Sequence, residues 1–197
     1  MSWPQTHHIF TPEEYLTLER PSEIRHEYLD GTVYAMAGET PEHSIICFNL
    51  ASTVGQKMRK KNCQGYSPNM KVRTEQSGLF AYPDLMIVCG KAEYHDNHRD
   101  VLTNPTVIFE VLSRSTAAYD RGEKSLRYRT HISSLQDLIL VAQDKPHIEH
   151  YSRQQDGTWA QTEIDGLDAL LILDSIDCQV PLADLYAGII FLEPPAS

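Results

Sequence analysis

The spacing of apolar residues near the N-terminus predicts two helices, each with a recognisable start. Residues 11–14 read Thr-Pro-Glu-Glu, which puts a threonine at the N-cap, a proline in the first turn and a glutamate at N3. Residues 40–42, Thr-Pro-Glu, open a second helix in a similar way. Apolar residues then recur at every fourth position, which predicts that this helix runs to about Lys61. They are Ile46, Leu50, Val54 and Met58.

Other patterns predict strands. Residues 26–36 read as a hairpin, because Asp30-Gly31 suits a type I′ turn between β-forming flanks. In that register Glu27 lies on the face that also carries Leu29, Thr32, Tyr34 and Met36. Residues 82–89 and 106–112 are nearly continuous apolar runs, which are typical of central strands covered on both faces. Further strands are predicted at 70–75, 135–142, 147–152, 159–164 and 169–174.

The remaining elements complete a mixed order. Asp120-x-x-Glu123 has the spacing of a capping box and predicts a helix to about Arg129, and a last short helix is predicted at 181–187. The order predicts a mixed α/β fold, with helices flanking a mostly antiparallel or mixed central sheet. With 197 residues, the chain is expected to form a single domain over 1–197. Its expected parts are an N-terminal helix and hairpin (10–36), a core (40–141) and acidic C-terminal strands (142–192).

Composition narrows the cellular setting. No apolar run approaches the length of a membrane span, and the N-terminus has neither a basic region nor an apolar region like those of a secretory signal. The four cysteines form no C-x-x-C pair, and we expect them to be free thiols in a reducing cytoplasm. They are Cys47, Cys63, Cys89 and Cys178.

Charge is unevenly distributed along the chain. The net charge is −10, and residues 130–197 alone carry eleven acidic and two basic residues. Two segments are basic and are candidates to contact a nucleic-acid backbone, although the first could instead be a solvated helix face. The first, residues 57–73, has six basic residues and no acidic one: Lys57, Arg59, Lys60, Lys61, Lys71 and Arg73. The second contains Arg114, Arg121, Lys124, Arg127 and Arg129.

Two carboxylates fall in predicted buried strands. Glu110 sits inside the apolar run 106–112, and Asp84 begins the run that follows Pro83. A buried carboxylate is costly unless it is paired, hydrogen-bonded or bound to a metal. Asp84 alone could cap a strand start, and Glu110 alone could form a structural ion pair. Together, at one end of two adjacent strands, they would make an oxygen-rich site suited to Mg²⁺.

A lysine follows on the next helix. Lys124 shares a helix face with Arg127, Tyr128 and His131. If that helix packs on the sheet, Lys124 reaches the carboxylates; otherwise it is an exposed first-turn residue. Two carboxylates, a divalent ion and a lysine suffice for phosphodiester hydrolysis.

The order of these residues resembles the restriction-endonuclease-like superfamily, whose signature is P-D…(D/E)-x-K. Within it, the chain is similar to a restriction-endonuclease family once catalogued as a domain of unknown function. The matching segments are residues 11–15, 28–34, His43, 82–84, 109–113, Tyr119-Asp120, Lys124 and Tyr128. The signature lysine is replaced by Leu112, and the resemblance implies that Lys124 has taken over its role.

The resemblance implies a restriction-endonuclease-like core and a set of roles. Asp84, Glu110 and the carbonyl of Val111 would bind Mg²⁺, with Mn²⁺ as a substitute. Lys124 would activate water or stabilise charge, and Glu27 would assist the metal. Auxiliary or phosphate-contacting roles are expected for His43, Ser113, Lys71, Arg73, Arg127 and Tyr128.

The expected function is a Mg²⁺-dependent endonuclease that hydrolyses DNA, as a homodimer on duplex substrate and without a membrane partner. A catalytically inactive nucleic-acid-binding or assembly protein on the same fold is the alternative. The acidic net charge favours that alternative, as does the displaced lysine. Phosphoester hydrolysis on a small substrate is a third possibility, although the chain has no phosphate-cradling glycine loop.

Overall fold

The computed structural model describes residues 8–36, 38–74, 78–113 and 115–191, so Arg114 of the second basic segment lies outside it. The helices are α1 (Pro12–Glu19), α2 (Pro41–Met58), α3 (Ala117–Tyr119), α4 (Ser125–His131) and α5 (Leu182–Leu185). The strands are β1 (His26–Leu29), β2 (Thr32–Ala35), β3 (Cys63–Tyr66), β4 (Lys71–Arg73), β5 (Leu79–Ala81), β6 (Leu85–Cys89), β7 (Val101–Leu102), β8 (Val107–Leu112), β9 (Asp137–Ala142), β10 (His147–Arg153), β11 (Trp159–Asp165), β12 (Leu170–Leu173) and β13 (Cys178–Pro181).

The strands form two large sheets where one was expected. The six-stranded sheet has the order β11-β10-β9-β8-β6-β3, with β8 and β9 parallel and the other neighbours antiparallel. The five-stranded sheet has the order β2-β1-β5-β4-β7. The predicted strand at 169–174 forms β12, which pairs only with β13 in a separate small sheet. The short strands β3, β5 and β7 were not predicted, because two to four residues are too few to reveal a period of two.

The hairpin of β1 and β2 confirms its prediction. Asp30 and Gly31 both have positive φ angles, +47° and +91°, as a type I′ turn requires. Glu27 pairs with Tyr34 and Leu29 with Thr32, so these residues share a face as expected. Both predicted helix starts are also present, with Thr11 and Thr40 as the N-caps of α1 and α2. α2 ends at Met58, slightly before the predicted Lys61.

Strand β8 divides the core into two layers. Val107, Phe109 and Val111 face a cluster that includes the apolar side of α2 and the β12–β13 hairpin. Ile108 and Leu112 face the opposite cluster, which contains Tyr128 of α4 and part of the five-stranded sheet. Because side chains alternate along a strand, Glu110 points into this second layer, towards α4.

The helix after β8 differs from its prediction. Asp120 was expected to cap it, but the helix has already begun with α3. Residues Asp120–Lys124 form a π-helical turn between α3 and α4, in which the Ser125 N–H donates to the Asp120 carbonyl five residues back. The capping-box spacing predicted a helix start at Asp120, but the carboxylate of Asp120 lies 3.5 Å from the Lys124 ammonium. Within the described residues, no helix has the length and apolar character to cross a bilayer.

The expectation of four free thiols is wrong. Cys63 on β3 lies directly opposite Cys89 on β6, and the two form a disulfide with a Cα–Cα distance of 3.9 Å. Residues 26 positions apart are brought together by strand pairing, which their spacing does not reveal. Cys47 and Cys178 are free.

Candidate active site

Strands β6 and β8 bring the two predicted carboxylates together. Leu85 pairs with Phe109 in an antiparallel register, so the next position sets Asp84 opposite Glu110. The Asp84 carboxylate accepts a hydrogen bond of 2.7 Å from the Val111 N–H, which fixes it at the strand end. The two acids therefore stand at one end of adjacent strands, with Glu110 on the face that α4 covers and Asp84 within reach of α2.

Lys124 lies between carboxylates from three elements. Its Nζ is 3.0 Å from Oε1 of Glu110 and 3.0 Å from Oε1 of Glu27, and 3.5 Å from Oδ1 of Asp120. Only 5 % of the lysine is exposed, which excludes the alternative that it is an exposed residue in the first turn of a helix. The ion pair considered for Glu110 is present, and this lysine is its partner.

Glu27 is held at this site by the hairpin. It lies on β1, its side chain is 14 % exposed, and its Oε1 accepts from the Tyr82 N–H at 3.3 Å as well as from Lys124. It is therefore not an exposed hairpin charge. Tyr128 approaches from α4, and its hydroxyl donates to Oε1 of Glu110 at 2.9 Å.

Burial and neighbouring charges shift the pKa values of Glu110 and Lys124. Burial raises the pKa of Glu110 well above its usual value, and Asp120, Asp84 and Glu27 raise it further, while Lys124 opposes them. Burial alone would lower the pKa of Lys124, but Glu110 and Glu27 outweigh it and raise that pKa well above its usual value. The lysine is thus a cation among acids that repel one another.

His43 and Cys47 approach Asp84 from α2. The Nε2 atom of His43 is 3.5 Å from Oδ2 of Asp84, and its Nδ1 is 3.5 Å from Sγ of Cys47. Burial lowers the pKa of His43, but Asp84 outweighs this effect and the pKa is raised. Burial raises the pKa of the Cys47 thiol, and Asp84 and Glu39 raise it further. Cys47 was overlooked in the sequence, although its spacing of four from His43 could have signalled a shared helix face.

Glu27, His43, Asp84, Glu110 and Lys124 line a cleft of about 570 Å³. Val111 and Ser113 also line it, at the end of β8. Among the described lining residues, six are acidic: Glu27, Glu39, Asp84, Glu110, Asp120 and Glu123. The basic side chains described there are Arg25 and Lys124. The cleft is therefore suited to a cation.

Three predicted phosphate-contacting residues are engaged elsewhere. Lys71 is buried with its Nζ 3.0 Å from Oδ2 of Asp100, and Arg73 contacts the ring of His95. Arg127 pairs with Asp30 and Glu123 on the outer face of the helix. None of the three is among the described residues that line the cleft.

Apart from Lys124, none of the described residues of the two basic segments lines the cleft. Lys57, Arg59 and Lys60 lie at the C-terminal end of α2, whereas His43 is near its start. At 1.5 Å per residue, about 14 residues of helix separate the two ends by roughly 21 Å. Lys61 pairs with Asp177. In the second segment, Arg121 pairs with Glu149 and Arg129 stacks on Tyr151.

The donor set at Asp84 and Glu110 fits a hard divalent ion. Two carboxylates and the neighbouring Val111 carbonyl offer oxygen ligands, and Mg²⁺ keeps several waters when bound by one or two carboxylates. The burial of Glu110 among other acids also creates a need for positive charge. These residues are therefore chemically competent to bind Mg²⁺ or Mn²⁺.

Comparisons with known proteins identify the family and the fold. The sequence model of the family described as "Uma2: Putative restriction endonuclease" matches residues 12–183. Two uncharacterized proteins of Synechocystis sp. PCC 6803, sll1609 and slr1290, are each 32% identical, over 82% and 92% of this chain and 90% and 93% of their own. A crystal structure of "a putative nuclease belonging to DUF820" from Anabaena variabilis aligns with a TM-score of 0.75 and 18% identity, covering 90% of this chain and 98% of that one. This likeness establishes a restriction-endonuclease-like fold.

Proposed function

Because the chain belongs to the Uma2 family of restriction endonucleases, we propose that it hydrolyses DNA phosphodiester bonds with the help of Mg²⁺ bound in the acidic cleft. One observation carries the proposal: Asp84 and Glu110 lie opposite each other on adjacent strands, and Glu110 contacts a buried lysine that comes from the next helix. Mn²⁺ is the expected substitute.

The chain's own groups have distinct roles in this proposal. Asp84, Glu110 and the Val111 carbonyl would hold the ion, which would polarise the phosphate and lower the pKa of a bound water. Lys124 already donates to Glu27 and Glu110, so as an ammonium it has no free lone pair. We therefore assign it to stabilising the charge that develops on the phosphate, rather than to removing a proton.

Glu27 positions this lysine. It shares Lys124 with Glu110, and the Tyr82 N–H holds its carboxylate in place. The six carboxylates described in the cleft would repel a phosphate unless a divalent ion were present. This supports a metal-dependent reaction.

A second candidate is a catalytically inactive nucleic-acid-binding or assembly protein. The observation in its favour is the position of Lys57, Arg59 and Lys60, roughly 21 Å along α2 from the cleft. Binding through that surface would not need the carboxylates. Substitutions of Asp84 and Lys124 therefore distinguish the two candidates.

The test is cleavage of supercoiled plasmid and linear duplex with Mg²⁺ or Mn²⁺. We expect metal-dependent nicking or linearisation that falls at least a hundredfold in Asp84→Asn and Lys124→Met, on the order of the loss when one transition-state donor is removed. Asp168→Asn is the control, because it removes an exposed carboxylate. Loss in Asp84→Asn but not in Lys124→Met would refute the role of the lysine. No cleavage by folded protein under any condition would favour the second candidate.

Two further parts of the proposal concern assembly and location. We propose duplex DNA as the substrate and a homodimer with one site for each strand, which light scattering of the purified protein can test. The cytoplasmic location stays a prediction. The disulfide of Cys63 and Cys89 weighs against it, because disulfides are rare in cytosolic proteins.

A further inference from the structure

We propose that His43, Cys47 and Asp84 form a binding site for Zn²⁺ that shares Asp84 with the cleft. The three residues come from α2 and from the start of β6. One ligand atom from each lies within 4.8 Å of the other two. The zinc site itself is independent of the proposed nuclease activity; only its effect on that activity rests on it.

The distance between His43 and Cys47 matches the one needed by a tetrahedral ion. His43 and Cys47 are four residues apart, so they lie on one face of α2, one turn apart. The distance from Nδ1 of His43 to Sγ of Cys47 is 3.5 Å. With Zn–N near 2.0 Å and Zn–S near 2.3 Å, a tetrahedral site needs these atoms about 3.5 Å apart. Asp84 supplies the third ligand: its Oδ2 lies 3.5 Å from Nε2, the other nitrogen of the His43 ring, and the three ligand atoms lie within 4.8 Å of one another, so an ion bound by Nδ1 and Sγ draws the carboxylate closer.

The donor types favour zinc over magnesium. Thiolate and imidazole are ligands that Zn²⁺ prefers, whereas Mg²⁺ prefers oxygen. On binding, the Cys47 thiol gives its proton to solvent and the sulfur coordinates as a thiolate. Three protein ligands leave a fourth position open, as in catalytic zinc sites. It can open towards the cleft, because His43 and Asp84 both line it.

Two other parts of the molecule provide matched controls. Cys178 is also free, but it is buried in the apolar core beside Val180 and Leu182. His147, Glu163 and Asp165 form another group of potential ligands, with Glu163 and Asp165 exposed and no sulfur among them. A metal bound through a thiolate therefore indicates the site of His43, Cys47 and Asp84, and not the group of His147, Glu163 and Asp165.

Sharing Asp84 has a consequence for the proposed nuclease. When the Asp84 carboxylate binds zinc together with His43 and Cys47, it can no longer bind Mg²⁺ together with Glu110. Zn²⁺ would then inhibit Mg²⁺-dependent cleavage, and raising the Mg²⁺ concentration would relieve the inhibition.

The binding experiment uses the full chain without reductant, so that Cys63 and Cys89 stay paired. Co²⁺ is titrated as a spectroscopic probe, and we expect a thiolate-to-cobalt charge-transfer band that one equivalent of Zn²⁺ abolishes. The band is expected to vanish in Cys47→Ser and to persist in Cys178→Ser and His147→Gln. Cys47→Ala is the second variant if the serine disturbs folding. A band that survives in both Cys47 variants, or the absence of a band in the unmodified protein, would overturn the site.

Zinc affinity gives an independent readout. Competition with a chromophoric chelator should show binding weakened by at least roughly tenfold in Cys47→Ser and in His43→Gln, since losing even a residue that supports a ligand costs about 10- to 100-fold. Equal affinity in the unmodified protein and both variants would refute the assignment. Zinc binding by a protein that cleaves no DNA would refute the proposed function and leave the zinc site standing. Equal inhibition by Zn²⁺ in the unmodified protein and in Cys47→Ser, each relative to its own activity, would refute the sharing of Asp84.

Discussion

Asp100 accepts hydrogen bonds from cations in two distant segments of the chain. Arg20, just after α1, donates to both of its carboxylate oxygens, at 3.2 and 3.0 Å, and Lys71 of β4 lies 3.0 Å away. Burial alone would raise the pKa of Asp100, but the hydrogen bonds from Arg20 and Lys71 outweigh that effect and lower the pKa to about 2. The ionised carboxylate therefore ties these segments together.

The lowered pKa of Asp100 predicts how the free energy of unfolding depends on pH. Because the pKa of Asp100 is lower in the folded chain, the unfolded chain binds more protons as the pH falls. The contribution of the group, roughly 2 kcal/mol, is present above about pH 4 and is lost as the pH falls through about 2. Urea denaturation at pH 5 and pH 2.5 should show a smaller pH difference in Asp100→Asn than in the unmodified protein. An unchanged difference would contradict the assignment, and the exposed Asp168→Asn serves as control.

Single residues also show where sequence reasoning succeeds. Asp84 and Glu110 stood out because a charged residue in an apolar strand demands a partner, and the structure brings them together. The same reasoning could not place Lys71 or Arg73. Their partners, Asp100 and His95, are more than twenty positions away and become neighbours only through folding.

Among the elements, strand β6 is anchored at both ends. Asp84, which precedes it, accepts from the Val111 N–H of β8, and Cys89 at its far end is bonded to Cys63 of β3. The apolar run predicted β6 well, because a central strand that is covered on both faces has a nearly continuous apolar sequence. The edge strand β3 is short and polar, so neither it nor its disulfide was foreseen.

The disulfide should contribute measurably to stability. Closing a loop between cysteines 26 positions apart restricts the unfolded chain, and in the chain-entropy treatment this contributes about 3.5 kcal/mol. We expect reductant, or the double substitution Cys63→Ser/Cys89→Ser, to lower the free energy of unfolding by up to that amount. Reductant should have no further effect on the double variant, which is the internal control. Thiol titration in denaturant should count two thiols before reduction and four after it; four before reduction would contradict the bond.

At the scale of the whole molecule, charge is segregated along α2. The acidic cleft lies at the start of this helix, and Lys57, Arg59 and Lys60 lie near its end. The sequence revealed the basic segment but could not give its distance from the carboxylates, because that distance depends on where the helix packs. The mixed fold was predictable from the order of elements, whereas its division into two sheets was not.

This layout predicts the effect of salt on DNA binding. Replacing the three basic residues (Lys57→Gln, Arg59→Gln and Lys60→Gln) should weaken DNA affinity and reduce the salt slope by roughly 3, about one for each phosphate contact. Cleavage at saturating DNA should stay within about threefold, because the helix holds these residues roughly 21 Å from the cleft. Fluorescence anisotropy over a range of salt concentrations measures the slope. Lys91→Gln/Lys145→Gln, at exposed positions elsewhere, is the control; an unchanged slope in the triple variant would rule out this surface.

The π-helical turn Asp120–Lys124 joins α3 to α4 and holds one residue more than an α-helical turn. Deleting one residue within it would therefore restore an ordinary α-helical turn and leave the two helices in nearly the same phase. α4 itself is locked by Tyr128, which is fully buried against the sheet. A deletion of one residue before Lys124 should therefore reshape the wall of the cleft near Tyr119, while the lysine keeps its contact with Glu110.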